Sequence, residues 1–93
     1  MNINEYVKEY RDTKDTVLLD VRTEAEYAEG HIPGSINIPL DELPFSLDAA
    51  PDTKVYVYCR SGRRSGNACY ILKEEGFDPI NIGGILDYTG ELE

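Results

Sequence analysis

Tryptophan is absent from this chain, cysteine occurs twice, and histidine and methionine once each. The shortage of soft ligands excludes the common metal sites. His31, Cys59 and Cys69 offer no Cys-x-x-Cys pair and no zinc spacing, so no metal or other cofactor is expected. In a reducing compartment the two cysteines read as free thiols. No apolar run approaches the roughly 18 residues of a membrane helix. The first residues, Met1-Asn2-Ile3-Asn4-Glu5, lack the basic and apolar regions of a secretory signal, and a cytoplasmic location is expected. Positive charge is also scarce: nine Lys and Arg face eighteen Asp and Glu, a net charge of −9. That balance disfavours nucleic acid and anionic membrane as partners and gives a well-solvated surface. With 93 residues, the chain has room for one domain, residues 1–93.

The few basic residues are unevenly placed. Arg60, Arg63 and Arg64 fall within five positions, leaving only six basic residues elsewhere to face all eighteen acidic ones. Around them, strand-like and helix-like segments alternate. Ile3, Tyr6, Val7 and Tyr10 recur at helical spacing, giving a helix that ends near Asp12. Val17-Leu18-Leu19-Asp20-Val21 is a short apolar run of the kind buried on both faces of a parallel sheet. Thr23 and Glu26 form a capping box for a helix that stops at Gly30, where a left-handed residue is expected. Ser35 to Ile38 reads as a brief strand, and a short helical stretch spans about Leu40 to Leu47. Val55-Tyr56-Val57-Tyr58 is the clearest strand, all β-branched or aromatic. A helix then runs from Ser65 to Glu75, followed by a strand at Pro79 to Ile82, the Gly83-Gly84 turn and a short final helix. This alternation implies an α/β fold with a mainly parallel sheet and helices on both faces. Ligands in such folds bind beyond the C-terminal ends of the strands, and Cys59 follows the strongest strand directly.

A strand, a cysteine, a short Gly- and Arg-containing loop and then a helix make an anion cradle. The helix start offers unpaired N–H groups, Gly62 permits the dihedrals of a backbone nest, and the arginines add full charge. Each favours thiolate over thiol, so Cys59 is expected to titrate below its ordinary value without a general base. Arg60, Ser61, Gly62, Arg63, Arg64 and Ser65 are the candidate substrate-binding residues around catalytic Cys59, and a small anion is the expected ligand.

The run Tyr58-Cys59-Arg60-Ser61-Gly62-Arg63-Arg64-Ser65 resembles the active loop of single-domain rhodaneses, six residues long from the cysteine. Similar segments recur in order: Leu18 to Arg22, Glu26 to Gly30, His31 to Pro39, and Asn81-Ile82-Gly83-Gly84-Ile85. The resemblance implies a three-layer domain with a five-stranded, mainly parallel sheet, the cysteine strand central and the Asp20 strand beside it. It also implies a sulfurtransferase that loads sulfane sulfur onto Cys59 as a persulfide and passes it to cyanide or a thiol. A loop this basic resembles those of thiosulfate-using members; mercaptopyruvate-using members typically have Gly after the cysteine. The implied partners are a small anionic sulfur donor and a thiol or cyanide acceptor, with a sulfur-accepting protein as a further candidate. Where many members have Trp near the C-terminus, this chain has Tyr88.

Tyrosine phosphatases need Arg six positions after the cysteine, where this chain has Ser65, and an arsenate reductase or phosphatase is accordingly disfavoured. A non-catalytic rhodanese-like binding module typically lacks the cysteine kept here, whereas a sulfur relay acting with a partner protein would keep it. Asp20 and Arg22 are candidates to line the site, with a structural ion pair, such as Arg22 with Glu26, the favoured reading. His31 is expected in a turn or packing role, Cys69 in the core, and Gly83-Gly84 at a tight turn by the pocket mouth.

Overall fold

The computed structural model describes residues 1–93. Helix α1 (Ile3–Asp12) starts at Asn2, whose side chain accepts from the Glu5 N–H while the Glu5 carboxylate accepts from the Asn2 N–H. Strand β1 (Val17–Asp20) leads to α2 (Glu24–Glu29), which opens on the expected Thr23–Glu26 capping box. Gly30 ends α2 at φ 155°, ψ 134° rather than at left-handed helical values. Strand β2 (Ile36–Asn37) follows, then a single 3-10 turn at Leu40–Glu42 in place of the longer helical stretch expected there. Strand β3 (Lys54–Cys59), helix α3 (Arg63–Glu74), strand β4 (Asp78–Gly84) and a 3-10 turn at Ile85–Asp87 complete the chain.

The sheet has four strands in the order β2-β1-β3-β4, all parallel. They are the four strand segments read from the sequence; the fifth, implied only by the family resemblance, is not formed. The chain between β2 and β3 is punctuated by Pro39, Pro44 and Pro51, which cannot donate to a ladder, and it runs as turns and loop. The cysteine strand is central, flanked by β1 and β4.

Alternation along β3 divides the core. Val55, Val57 and Cys59 pack with Leu19, Val21, Ala68 and Leu72 on the α3 side. Tyr56 and Tyr58 pack with Leu18, Ile3 and Val7 on the α1 side. Both sheet faces are thereby covered, which is why β1 and β3 read as continuous apolar runs. Tyr58 is fully buried, and its hydroxyl donates to Ser35 Oγ at 3.1 Å and accepts from the Ile32 N–H at 3.1 Å. The strand carrying the cysteine is thus tied to the 32–35 loop. No helix is long and apolar enough to cross a membrane.

Candidate active site

Cys59 is the last residue of β3, and the chain must turn at once to begin α3 on the same face. Gly62 makes that turn possible: its φ of 99° is left-handed, and it stands at the N-cap of α3. The helix starts at Arg63, two residues before the expected Ser65, so Arg63 and Arg64 belong to its first turn. Bending back over Cys59, the loop directs N–H groups at the sulfur. The Gly62 N–H donates to Sγ at 3.0 Å, and Ser65 Oγ lies 3.5 Å from Sγ.

These contacts govern the thiol. Burial pushes the Cys59 pKa up, but the Ser65 hydroxyl and the N–H groups of Ser65, Gly62 and Ser61 outweigh it, and the net shift is downward. Cys59 is only 1% exposed, so the sulfur sits beneath the loop rather than on it. Cys69, on α3, is pushed the other way, to about 11, by burial alone. It is the partly buried packing residue that its helical position implied.

The predicted site residues occupy different stations around Sγ. Ser65 is fully buried and faces the sulfur from inside. Gly62 and Ser61 contribute backbone. Arg60 and Arg63 are exposed and form no ion pair, leaving two free cations at the loop surface. Arg64 is committed elsewhere: its guanidinium grips both oxygens of Glu26 at 2.6 and 2.9 Å, joining α2 to the start of α3. No guanidinium hydrogen-bonds to Sγ, so the thiol is tuned by backbone N–H groups and one hydroxyl.

That pairing changes the expected partner of Arg22. Glu26 is taken by Arg64, and Arg22 instead binds Asp20, two residues back on the same strand end, with Nη2 2.7 Å from Oδ2. Arg22 also donates to the Gly30 carbonyl at 2.7 Å. Asp20 ends β1 and Arg22 lies two residues beyond it, where the Asp20 carboxylate also accepts from the Arg22 N–H at 2.8 Å. The pair is buried, and Arg22 also lines a cleft shared with Arg60. His31 stacks on Tyr27 with ring centroids 3.7 Å apart, a packing role.

Gly83-Gly84, expected as a tight turn, instead continues β4, paired with Tyr58 and Cys59, and brings the strand end against the loop. A Cβ on Gly84 would collide with the Arg60 carbonyl oxygen and lie 2.6 Å from Ser61 Cα. Only glycine lets the loop backbone rest on the strand end there. Two open clefts flank the loop. One, of about 400 Å³, is lined by Arg22, Arg60, Ile85 and Leu86; the other, of about 280 Å³, by Val21, Thr23, Pro39, Leu40 and Arg64.

One residue at the site was not singled out from the sequence. Asn81, on β4, donates to the Gly62 carbonyl and accepts from Ser65 Oγ. Its sequence signal was its place in the Asn81-Ile82-Gly83-Gly84-Ile85 segment that resembles the family.

Comparison with known proteins agrees with this geometry. Residues 4–91 match the family of the rhodanese-like domain. The chain is 42% identical to a sulfurtransferase of Allochromatium vinosum, a match covering 84% of this chain and 76% of that protein. It is 44% identical to a thiosulfate sulfurtransferase of Escherichia coli, across 74% of this chain and 70% of the other. A crystal structure of a rhodanese-like domain protein from Staphylococcus aureus superposes with a TM-score of 0.87 at 31% identity, covering 100% of this chain and 94% of that one.

Proposed function

The chain belongs to the rhodanese-like domain family, and on that footing we propose that it is a sulfurtransferase that carries sulfane sulfur as a persulfide on Cys59, with thiosulfate as donor. The observation that carries the reading is a buried thiol, lowered in pKa by the Ser65 hydroxyl and loop N–H groups, lying under a loop with two unpaired arginines. It is supported by the similarity to a thiosulfate sulfurtransferase.

The chemistry runs in two displacements. The Cys59 thiolate attacks the outer sulfur of thiosulfate, a new S–S bond forms, and the bond from the outer sulfur to sulfite breaks. Sulfite leaves with the electron pair. Arg60 and Arg63 stabilise its developing charge, and the loop N–H groups hold the persulfide anion that remains. An acceptor then attacks the terminal sulfur: cyanide departs as thiocyanate, or a thiol as its persulfide, and Cys59 leaves as thiolate. Each step ends on an anion in the same cradle, so no general base is required.

Two half-reactions sharing one enzyme form give ping-pong kinetics, with parallel lines when thiosulfate and cyanide are varied together. Intersecting lines, or faster turnover of para-nitrophenyl phosphate than of thiosulfate with cyanide, would contradict the proposal.

A further inference from the structure

Sγ of Cys59 has two hydrogen-bond partners, the Gly62 N–H and Ser65 Oγ, and one side chain holds both of them. Asn81 Nδ2 donates to the Gly62 carbonyl at 2.9 Å, fixing the residue whose N–H points at the sulfur. Ser65 Oγ donates to Asn81 Oδ1 at 2.7 Å. The amide cannot be turned over without loss, because Oδ1 also accepts from the Gly83 N–H at 3.0 Å while Nδ2 faces a carbonyl. Two backbone groups of opposite polarity therefore dictate that the oxygen faces Ser65.

The strand is shaped to make this reach. Asn81 stands opposite Val57, but the next β3 residue, Tyr58, stands opposite Gly83, so Ile82 is an extra residue in β4. Bulges of this kind re-aim a side chain beside a functional site. Here Asn81 shares the sheet face of Val57 and Cys59, on the α3 side, while Ile82 stays in the opposite core.

We propose that Asn81 is a positioning residue for the Cys59 nucleophile, clamping Gly62 and Ser65 so that both point at Sγ. The inference rests on the sulfurtransferase reading for its consequence in catalysis, but its structural content is independent of the substrate. Ser65 has a single hydroxyl proton. With that proton on Asn81 Oδ1, Ser65 accepts from the Cys59 thiol; when the thiol ionises, the proton is free to turn toward sulfur. The bond from Ser65 to Asn81 therefore favours the thiol and is given up when the thiolate forms, whereas the clamp on Gly62 serves the thiolate, and it is this arm that Asn81→Ala is expected to weaken.

The test uses the full chain with Cys69→Ala, which leaves one thiol. The rate of Cys59 alkylation by iodoacetamide is followed from pH 5 to 10 by intact-protein mass spectrometry, in Asn81, Asn81→Ala and Asn81→Asp forms. Neighbouring charges stay constant across the set: Arg60 on the loop, Arg63 and Arg64 on α3, and the Asp20–Arg22 pair at the end of β1. Asn81→Ala is expected to slow alkylation about five- to tenfold at pH 6, with the rates converging at high pH. Asn81→Asp keeps the acceptor for Ser65 and Gly83 but sets a carboxylate against the Gly62 carbonyl, and is expected to move the profile further in the same direction. Should Asn81→Ala not fold, Asn81→Ser, which adds no charge and cannot span from Ser65 to the Gly62 carbonyl, carries the test with the same expected direction. A folded Asn81→Ala with an unchanged profile would overturn the proposal, even if its melting temperature falls, and so would an unchanged Asn81→Asp. Loading of the Asn81 form with thiosulfate is measured in parallel. Failure to gain sulfur there refutes the sulfurtransferase reading and leaves the clamp to be judged on the alkylation profile alone.

Discussion

Gly84→Ala tests whether the end of β4 supports the cradle. The added methyl would overlap the Arg60 carbonyl oxygen and stand 2.6 Å from Ser61 Cα and 2.8 Å from the Arg60 carbonyl carbon. All three are backbone atoms, so no rotamer relieves the clash. Ordinary carbon contacts are about 3.5–4.0 Å, so loop and strand must separate by about 1 Å. Overpacking of this kind costs about 1–3 kcal/mol, and in a domain this small each kcal/mol lowers the melting temperature by about 4–8 °C. The displaced segment starts at the residue after Cys59, so the N–H groups around Sγ move with it. A 1 Å misplacement of catalytic groups costs about 100-fold in rate. Gly76→Ala is the control: Gly76 is left-handed, at φ 90°, where Gly84 is extended, but a Cβ there meets nothing within 4 Å and it lies far along the chain from the loop. It should lose stability from backbone strain alone and retain sulfur transfer. Thermal melts and thiosulfate–cyanide turnover on both variants decide the matter. A Gly84→Ala protein with the activity and melting temperature of the parent would refute the reasoning.

Ser65→Ala removes the hydroxyl beside Sγ but leaves Asn81 Oδ1 its bond from the Gly83 N–H, so the fold should survive. Alkylation of Cys59 at pH 6 should slow about tenfold and recover as the pH rises. Glu26 is held at about 2 chiefly by its hydrogen bonds to Arg64. Its contribution to stability is complete above its unfolded value near 4.5 and is lost as the pH falls through about 2. For a partly exposed pair that contribution is about 1 kcal/mol after solvent screening. Urea denaturation should therefore show Glu26→Gln less stable than the parent at pH 7, with a narrower gap at pH 3. Arg60→Ala and Arg63→Ala should each raise the KM for thiosulfate about fivefold, an effect that added salt reduces; unchanged kinetics in both would mean that these arginines are only solvated.

Much of the architecture was legible because local signals and burial agree. Val55 to Tyr58 is β-prone and buried on both faces, and Thr23 with Glu26 caps α2 as its sequence implies. The nucleophile was legible because strand, cysteine, glycine and helix are consecutive. Pairings across the fold were not. Arg22 and Glu26 are four apart in sequence, a natural couple by spacing, yet Glu26 reaches 38 residues onward to Arg64 and Arg22 turns back to Asp20. The role of Asn81 depends on a bulge at Ile82 that no local pattern announces. The backbone nest at Gly62 was legible as a source of the lowered thiol pKa; the Ser65 hydroxyl was not, and no arginine hydrogen-bonds to the sulfur. Loop composition reveals charge, but only the fold shows which groups reach the sulfur.

The most direct test of the proposed function is the mass of the protein after exposure to thiosulfate without an acceptor. The parent should gain one sulfur atom, removed by cyanide or a reductant. Cys69→Ala should gain it equally, since burial holds that second thiol protonated near neutral pH. Cys59→Ser should gain nothing. A sulfur atom that persists in Cys59→Ser, or that maps to Cys69 in the parent, would contradict the assignment of Cys59 as the carrier.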